Sequence, residues 1–352
     1  MKYLIEHLPR IETVTLIVES EQVYGVKNLR TYSVEIVDVN GSPCTINLPH
    51  RIQINSGRIG LQMSDGGCQT LRLKASKEAE LNNVYKDRSV NRPMLASPQM
   101  WMRKDLMEKK EFEIQCAHCH YPLISNQDCG KLSDLPSEFW VELMDYWHCH
   151  KPIINDNVSV DRYARLHPRD DELLVGSSLF RVKSTWPTAR LIFNGTHTRC
   201  ARCQYELGRV SEDPALYNIN KWSVQLAKGE LLESYPPELH IISSLLNSLN
   251  SSGTRIVNLK SSSSEEQLLI WIFVVGVNIT LRDNEILENC IKIYYKTGKE
   301  PLSQSQDQNV DQLSVDGPVL THLIEKLESI NADLPAAVKV MHCWKLGYLT
   351  TF

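Results

Sequence analysis

The chain has 352 residues, 42% of them hydrophobic and 23% charged, and a formal net charge of −4. This is the make-up of a soluble globular protein with length for two or three cored domains. The acidic balance and the lack of a basic run argue against a protein held to nucleic acid by phosphate contacts, so direct nucleic-acid binding is not expected.

From the N-terminus, Met1 to His7 contain no apolar signal-peptide core, which favours a reducing compartment. The first 75 residues alternate with the period of strands, as in Thr13 to Val18, Tyr32 to Val37 and Leu71-Arg72-Leu73, and turn at Asn40-Gly41 and Asp65-Gly66-Gly67. Residues 76–98 are polar, with Pro93 and Pro98, and read as a surface connection. A helix is expected from Pro136 to Cys149, capped by Ser133 or Asp134, with Phe139, Trp140, Leu143 and Trp147 on its apolar stripe and Pro152 stopping it. After Pro236-Pro237 a second helix places Ile242, Leu245, Leu246 and Leu249 on one face. Strands follow near Arg255 to Leu259 and Leu268 to Leu281. The latter is the longest apolar stretch, but it holds Gly276, Asn278 and Thr280 and is too short to span a bilayer, so no membrane association is expected. Ser261 to Ser264 and Ser303 to Gln312 read as loops, Val319 to Ile330 as a last helix, and Trp344, Tyr348 and Leu349 as a terminal strand.

The expected fold class is therefore α+β and β-rich, with antiparallel sheets and a few packed helices. Three regions are expected: an N-terminal antiparallel β region at 1–98, a central region at 99–230 containing helix 136–149, and a C-terminal α+β region at 231–352.

One eight-residue pattern occurs twice. Residues 116–123 read C-A-H-C-H-Y-P-L and residues 200–207 read C-A-R-C-Q-Y-E-L, with cysteines, alanine, tyrosine and leucine in register. A Cys-x2-Cys turn brings two sulfurs to one tetrahedral metal and supplies half of a closed site, so the two turns together point to a structural Zn²⁺ held by Cys116, Cys119, Cys200 and Cys203. About 80 residues separate the pairs, so the metal would clasp distant parts of a larger domain. Disulfides within each pair would need an oxidising compartment, and a redox pair would be a single Cys-x2-Cys opening a helix.

The ordered set Cys116-x2-Cys119, Leu135-Pro136-Ser137-Glu138-x-Trp140, Trp147-His148-Cys149-His150, Cys200-x2-Cys203, Leu334-Pro335, Trp344 and Leu349 resembles the HECT-like E3 ubiquitin ligases that bind E2 enzymes. The resemblance runs from residue 116 to the C-terminus. It implies a protein that accepts ubiquitin from a ubiquitin-conjugating E2 and transfers it to a substrate. It further implies a link to the endonuclease subunit of the mRNA cleavage and polyadenylation machinery, and a location in cytoplasm and nucleus.

Such transfer needs a cysteine thiolate. With four cysteines assigned to metal, Cys149 stands out between His148 and His150, whose imidazoles could serve as base or favour the thiolate; against this, the C-terminal end of a helix disfavours an anion. Cys149 or His150 as a zinc ligand, replacing one knuckle cysteine or joining Cys129 or His120 in a second site, and a purely structural Cys149 with His150 capping the helix both remain open. Cys44, Cys68, Cys129 and Cys290 lack metal spacing, and Cys343 is the one cysteine near the C-terminus. Asp161, Asp170, Asp171 and Glu172 read as a solvated acidic loop. A non-catalytic scaffold for an E2 or for the endonuclease, and RNA-binding knuckles, are the competing functions.

Overall fold

The computed structural model describes residues 1–19, 23–54, 60–64, 67–76, 100–108, 111–135, 168–211, 213–251, 253–298 and 310–350. They form two compact units, one of residues 1–97 with 241–352 and the other of residues 98–240.

The first unit is built on a ten-stranded sheet. Its N-terminal hairpin joins Lys2–Leu8 to Thr13–Glu19 antiparallel, from Lys2↔Glu19 to Leu8↔Thr13. Period-2 patterning works as expected in the second of these strands, where Val14, Leu16 and Val18 are fully buried. In the first strand both faces are covered. Tyr3 and Ile5 enter a core with Val34, Ile36 and Ile46 from a three-stranded sheet (Gly25–Arg30, Ser33–Val37, Pro43–Asn47), while Leu4 joins Val277, Ile279, Cys290, Trp344 and Tyr348.

The same N-terminal strand pairs with Gln267–Thr280 at Ile5↔Thr280, Glu6↔Ile279 and His7↔Asn278. Gln267–Thr280 and Ile286–Thr297 are the longest strands described, and Trp344–Leu349 adds beside the latter. The apolar stretch from Leu268 is thus a buried strand, as its composition predicts. Glu6 locks these parts together: its carboxylate accepts Tyr348 Oη at 2.6 Å and Lys292 Nζ at 2.7 Å.

Two helices cover apolar surface. Glu238–Ser251 buries Ile242, Leu245, Leu246 and Leu249, the stripe its 3.6-residue period predicts. Gly317–Asp333 buries Val319, Leu320, Leu323 and Leu327, and packs so close to the terminal strand that a Cβ on Gly347 would stand 2.8 Å from Leu327 and 3.1 Å from Tyr295. Val310–Val315 is a strand, parallel to Ile256–Ser261 from Ile256↔Val310 to Ser261↔Val315, so the polar stretch expected as loop to Gln312 gives way to strand at Val310. Its alternate residues Leu313 and Val315 supply the apolar contact that the polar composition hides. Among the described residues no helix is long and apolar enough to cross a membrane.

Among the described residues the second unit holds three small sheets. One runs Lys131–Asp134, Glu172–Val175, Leu179–Lys183, Leu216–Asn220, with its first pair parallel; another runs Leu231–Ser234, Val224–Lys228, Glu113–Cys116, Pro122–Ser125; the third runs Leu191–Phe193, His197–Cys200, Glu206–Arg209. Gly208 lets the third sheet lie on the first, since a Cβ there would overlap the Asn218 carbonyl. The expected acidic loop divides. Asp170 is exposed and Asp161 lies outside the described residues, but Glu172 is buried in a strand and accepts Lys131 Nζ at 2.8 Å, Ser133 Oγ at 2.5 Å and the Arg169 amide at 3.1 Å.

Candidate metal centre

The two repeats fold alike. Each Cys-x2-Cys lies in the turn of a β-hairpin, after Glu113–Cys116 in one and after His197–Cys200 in the other. The Cys116 amide donates to the Tyr121 carbonyl at 2.9 Å and the Cys200 amide to Tyr205 at 3.0 Å, while the His120 and Gln204 amides donate back to the Cys116 and Cys200 carbonyls at 2.9 Å. His120 and Gln204 close these turns at φ 56° and 60°. Even the alanines are held alike, Ala117 by the Ser223 carbonyl at 3.2 Å and Ala201 by the Arg190 carbonyl at 3.1 Å. The repeated sequence is therefore a repeated local structure.

The turns aim their sulfurs at one point. All four Sγ atoms of Cys116, Cys119, Cys200 and Cys203 lie within 4.8 Å of one another, and Cys116–Cys203 and Cys119–Cys200 are each 3.7 Å apart. A regular tetrahedron with metal–sulfur bonds of about 2.3 Å has edges of roughly 3.8 Å, so the four sulfurs fit a metal ion of zinc's bond length. Backbone amides turn toward them: those of His118 and Cys119 toward Cys116, that of Tyr121 toward Cys119 and that of Tyr205 toward Cys203. Without a cation, burial pushes the Cys116 thiol up to about 12. A divalent ion at the centre would supply the charge that four converging thiolates need.

Surrounding contacts tie the hairpins together. Arg190, whose carbonyl holds the second turn, forms an ion pair with Asp128, which also accepts the Ser125 amide at 2.7 Å and Ser125 Oγ at 2.8 Å in the first hairpin. His118 stacks on Tyr205 of the opposite turn, centroids 5.4 Å apart and planes 13° from parallel. His120 Nδ1 lies 2.9 Å from Gln225 Oε1.

Beneath the first turn sits a group that the sequence does not advertise. Lys221 is fully buried, and its ammonium donates to the carbonyls of Met100 (2.7 Å), Trp101 (3.1 Å), Gly176 (2.6 Å) and Ser177 (3.1 Å) beside the rings of Phe180 and Tyr235. It opens the Lys221–Ser223 turn whose last carbonyl holds Ala117. A lone lysine between Asn220 and Trp222 carries no sequence signal of burial, because lysine is almost never fully buried.

The remaining candidates divide. Helix 136–149 with Cys149 and His150 lies outside the described residues. Cys129 bonds the Ser125 carbonyl at 3.4 Å and His120 Nδ1 lies 2.9 Å from Gln225 Oε1, while the second metal site expected of either with Cys149 or His150 involves residues outside those described. Among the described residues the four paired cysteines form the one His/Cys/Asp/Glu cluster able to hold a metal ion. Cys68 and Cys290 are buried, Cys44 and Cys129 are half-buried, and Cys343 is exposed.

The structure is a β-rich scaffold whose two cysteine turns, far apart in sequence, converge on one four-sulfur centre that could hold a metal ion. The chain belongs to the family described as HECT-like ubiquitin-conjugating enzyme (E2)-binding, whose model matches residues 6–346. Among curated relatives, a Saccharomyces cerevisiae protein bearing the name "Uncharacterized protein YJR141W" is 31% identical over 355 residues, which cover 99% of each chain. A rat protein named as an E3 ubiquitin-protein ligase is 24% identical over 340 residues, 86% of this chain and 84% of the relative. A Schizosaccharomyces pombe protein, C1734.10c, is 20% identical over 250 residues, 68% of this chain and 73% of the relative. No solved structure matches.

Proposed function

We propose that this chain is an E2-dependent E3 ubiquitin ligase with a structural Zn²⁺ at Cys116, Cys119, Cys200 and Cys203. The observation that carries the reading is the family match across residues 6–346, supported by relatives named as ligases. Four thiolate ligands leave no open position, so zinc bound there would fix the hairpins rather than activate water or substrate.

Ubiquitin transfer then falls to a thiol outside the centre. Burial pushes Cys129 and Cys290 each up to about 12, which removes them as nucleophiles near neutral pH. We assign the role to Cys149, with His150 as its base. Its sulfur attacks the carbonyl carbon of the E2-ubiquitin thioester, the E2 thiolate departs, and a substrate lysine amine attacks the new thioester in turn. A place in nucleus and cytoplasm, beside the endonuclease of mRNA 3′-end processing, belongs to the same reading.

The closed centre and the buried thiols also favour a second reading, a non-catalytic scaffold for an E2 or for that endonuclease. One experiment separates them. Incubation with charged E2 should give a ubiquitin adduct that thiol reductant removes and Cys149→Ser abolishes; a stable E2 complex with no adduct would make the chain a scaffold.

A further inference from the structure

We infer that the four-cysteine centre is also a redox switch, which on oxidation releases its metal and closes two disulfides between the knuckles, Cys119 with Cys200 and Cys116 with Cys203. The inference rests on the zinc reading of the centre and adds to it a second, metal-free closed state.

The geometry has two parts. Cys116 and Cys200 are fully buried, whereas Cys119 and Cys203 are partly exposed. The 3.7 Å sulfur contacts run from one knuckle to the other, so each joins an exposed sulfur to a buried one across the centre. An oxidant from solvent meets Cys119 or Cys203 first. A buried sulfur of the opposite turn lies 3.7 Å away, in reach to resolve the product.

With hydrogen peroxide as oxidant the step balances. The Cys119 thiolate attacks one peroxide oxygen, an S–O bond forms, the O–O bond breaks, and the departing hydroxide takes a proton to become water. Cys200 sulfur then attacks the Cys119 sulfenic acid, an S–S bond forms, the S–O bond breaks, and a second water leaves. Cys203 and Cys116 follow the same course. Two peroxides are reduced to four waters, four thiolates are oxidised to two disulfides, and the Zn²⁺ loses its ligands.

Crossed disulfides have a structural consequence that disulfides inside each Cys-x2-Cys would lack. They keep the hairpin around Cys116 bound to the hairpin around Cys200 after the metal leaves. The oxidised second unit therefore stays folded, and reduction restores a ready site.

The test uses the full-length zinc-loaded protein, with zinc content measured first and peroxide then titrated in the presence of a chromogenic zinc chelator. The expected result is one zinc released per chain at two equivalents of peroxide. Non-reducing peptide mapping should find Cys119–Cys200 and Cys116–Cys203, β circular dichroism should persist, and zinc should rebind after reduction. Disulfides Cys116–Cys119 and Cys200–Cys203, or zinc retained through ten equivalents of peroxide, would overturn the inference while leaving the structural zinc intact. A purified protein without zinc would instead overturn the metal reading. Cys203→Ser, where it folds, should still form Cys119–Cys200 and lose the other bridge.

Discussion

Lys221 and His7 show how single buried groups carry folding energy in this chain. The Lys221 ammonium sits among four backbone carbonyls drawn from two other segments. Replacing it with methionine keeps the stem but removes the donor to all four carbonyls, leaving Ser177 with the Tyr235 hydroxyl at 3.3 Å. Burial lowers Lys221 to about 7, so part of its hydrogen bonding is offset by desolvation, and Lys221→Met should cost about 1–3 kcal/mol, read as a fall in the denaturation midpoint of the unit bearing the four-cysteine centre. Arginine should not rescue it, since a planar guanidinium cannot fill a cage built around a compact ammonium. His7 stacks on His50 with centroids 4.0 Å apart, and burial, then the neighbouring imidazole, lowers it from 6.5 to about 4. Between those pH values the unfolded chain takes up a proton that the folded chain refuses, so this contribution is complete above about pH 6.5 and is lost as pH falls toward 4. Urea midpoints measured across that window should drop more steeply for the native protein than for His7→Phe.

Elements were legible in the sequence wherever a period repeated or a motif recurred. The alternation of Thr13 to Val18, the i, i+3, i+4, i+7 stripe of the helix Glu238–Ser251 and the doubled cysteine turn all appear where the residues place them. That stripe is also where a deletion is most damaging. Leu245→Ala should cost about 2–5 kcal/mol by calorimetry, because the residue is fully buried and truncation would leave a cavity in its place. What escaped the sequence depends on distant partners. Val310 to Gln312 look like linker until a parallel neighbour supplies their hydrogen bonds, Glu172 looks solvated until Lys131 and Ser133 surround it, and Lys221 gives no hint of its cage. The convergence of the four cysteines could be read from spacing, whereas the Arg190–Asp128 pair that joins the hairpins could not, since neither residue stands in a pattern.

At the scale of the whole molecule the proposed zinc and the ten-stranded sheet belong to different units. A zinc ion clasping Cys116 and Cys119 to Cys200 and Cys203 closes a long loop, and such clips gain most when the chain between them is long. Chelation of the full-length protein should therefore lower the melting of residues 98–240 by several degrees and leave the transition of the ten-stranded unit in place, seen as two separated events by calorimetry. The N-terminal strand carries a different consequence. Lys2–Leu8 finds its second neighbour only at Asn278 to Thr280, and Glu6 finds its partners at Lys292 and Tyr348. On the ribosome the first strand is made early and its sheet cannot close until nearly the whole chain has emerged, while residues 98–240 are already complete and free to take up metal. A strand buried on both faces at the end of synthesis thus spends most of translation with an unpaired edge and apolar faces. Shielding that edge until Asn278 to Thr280 arrive is a task suited to a chaperone.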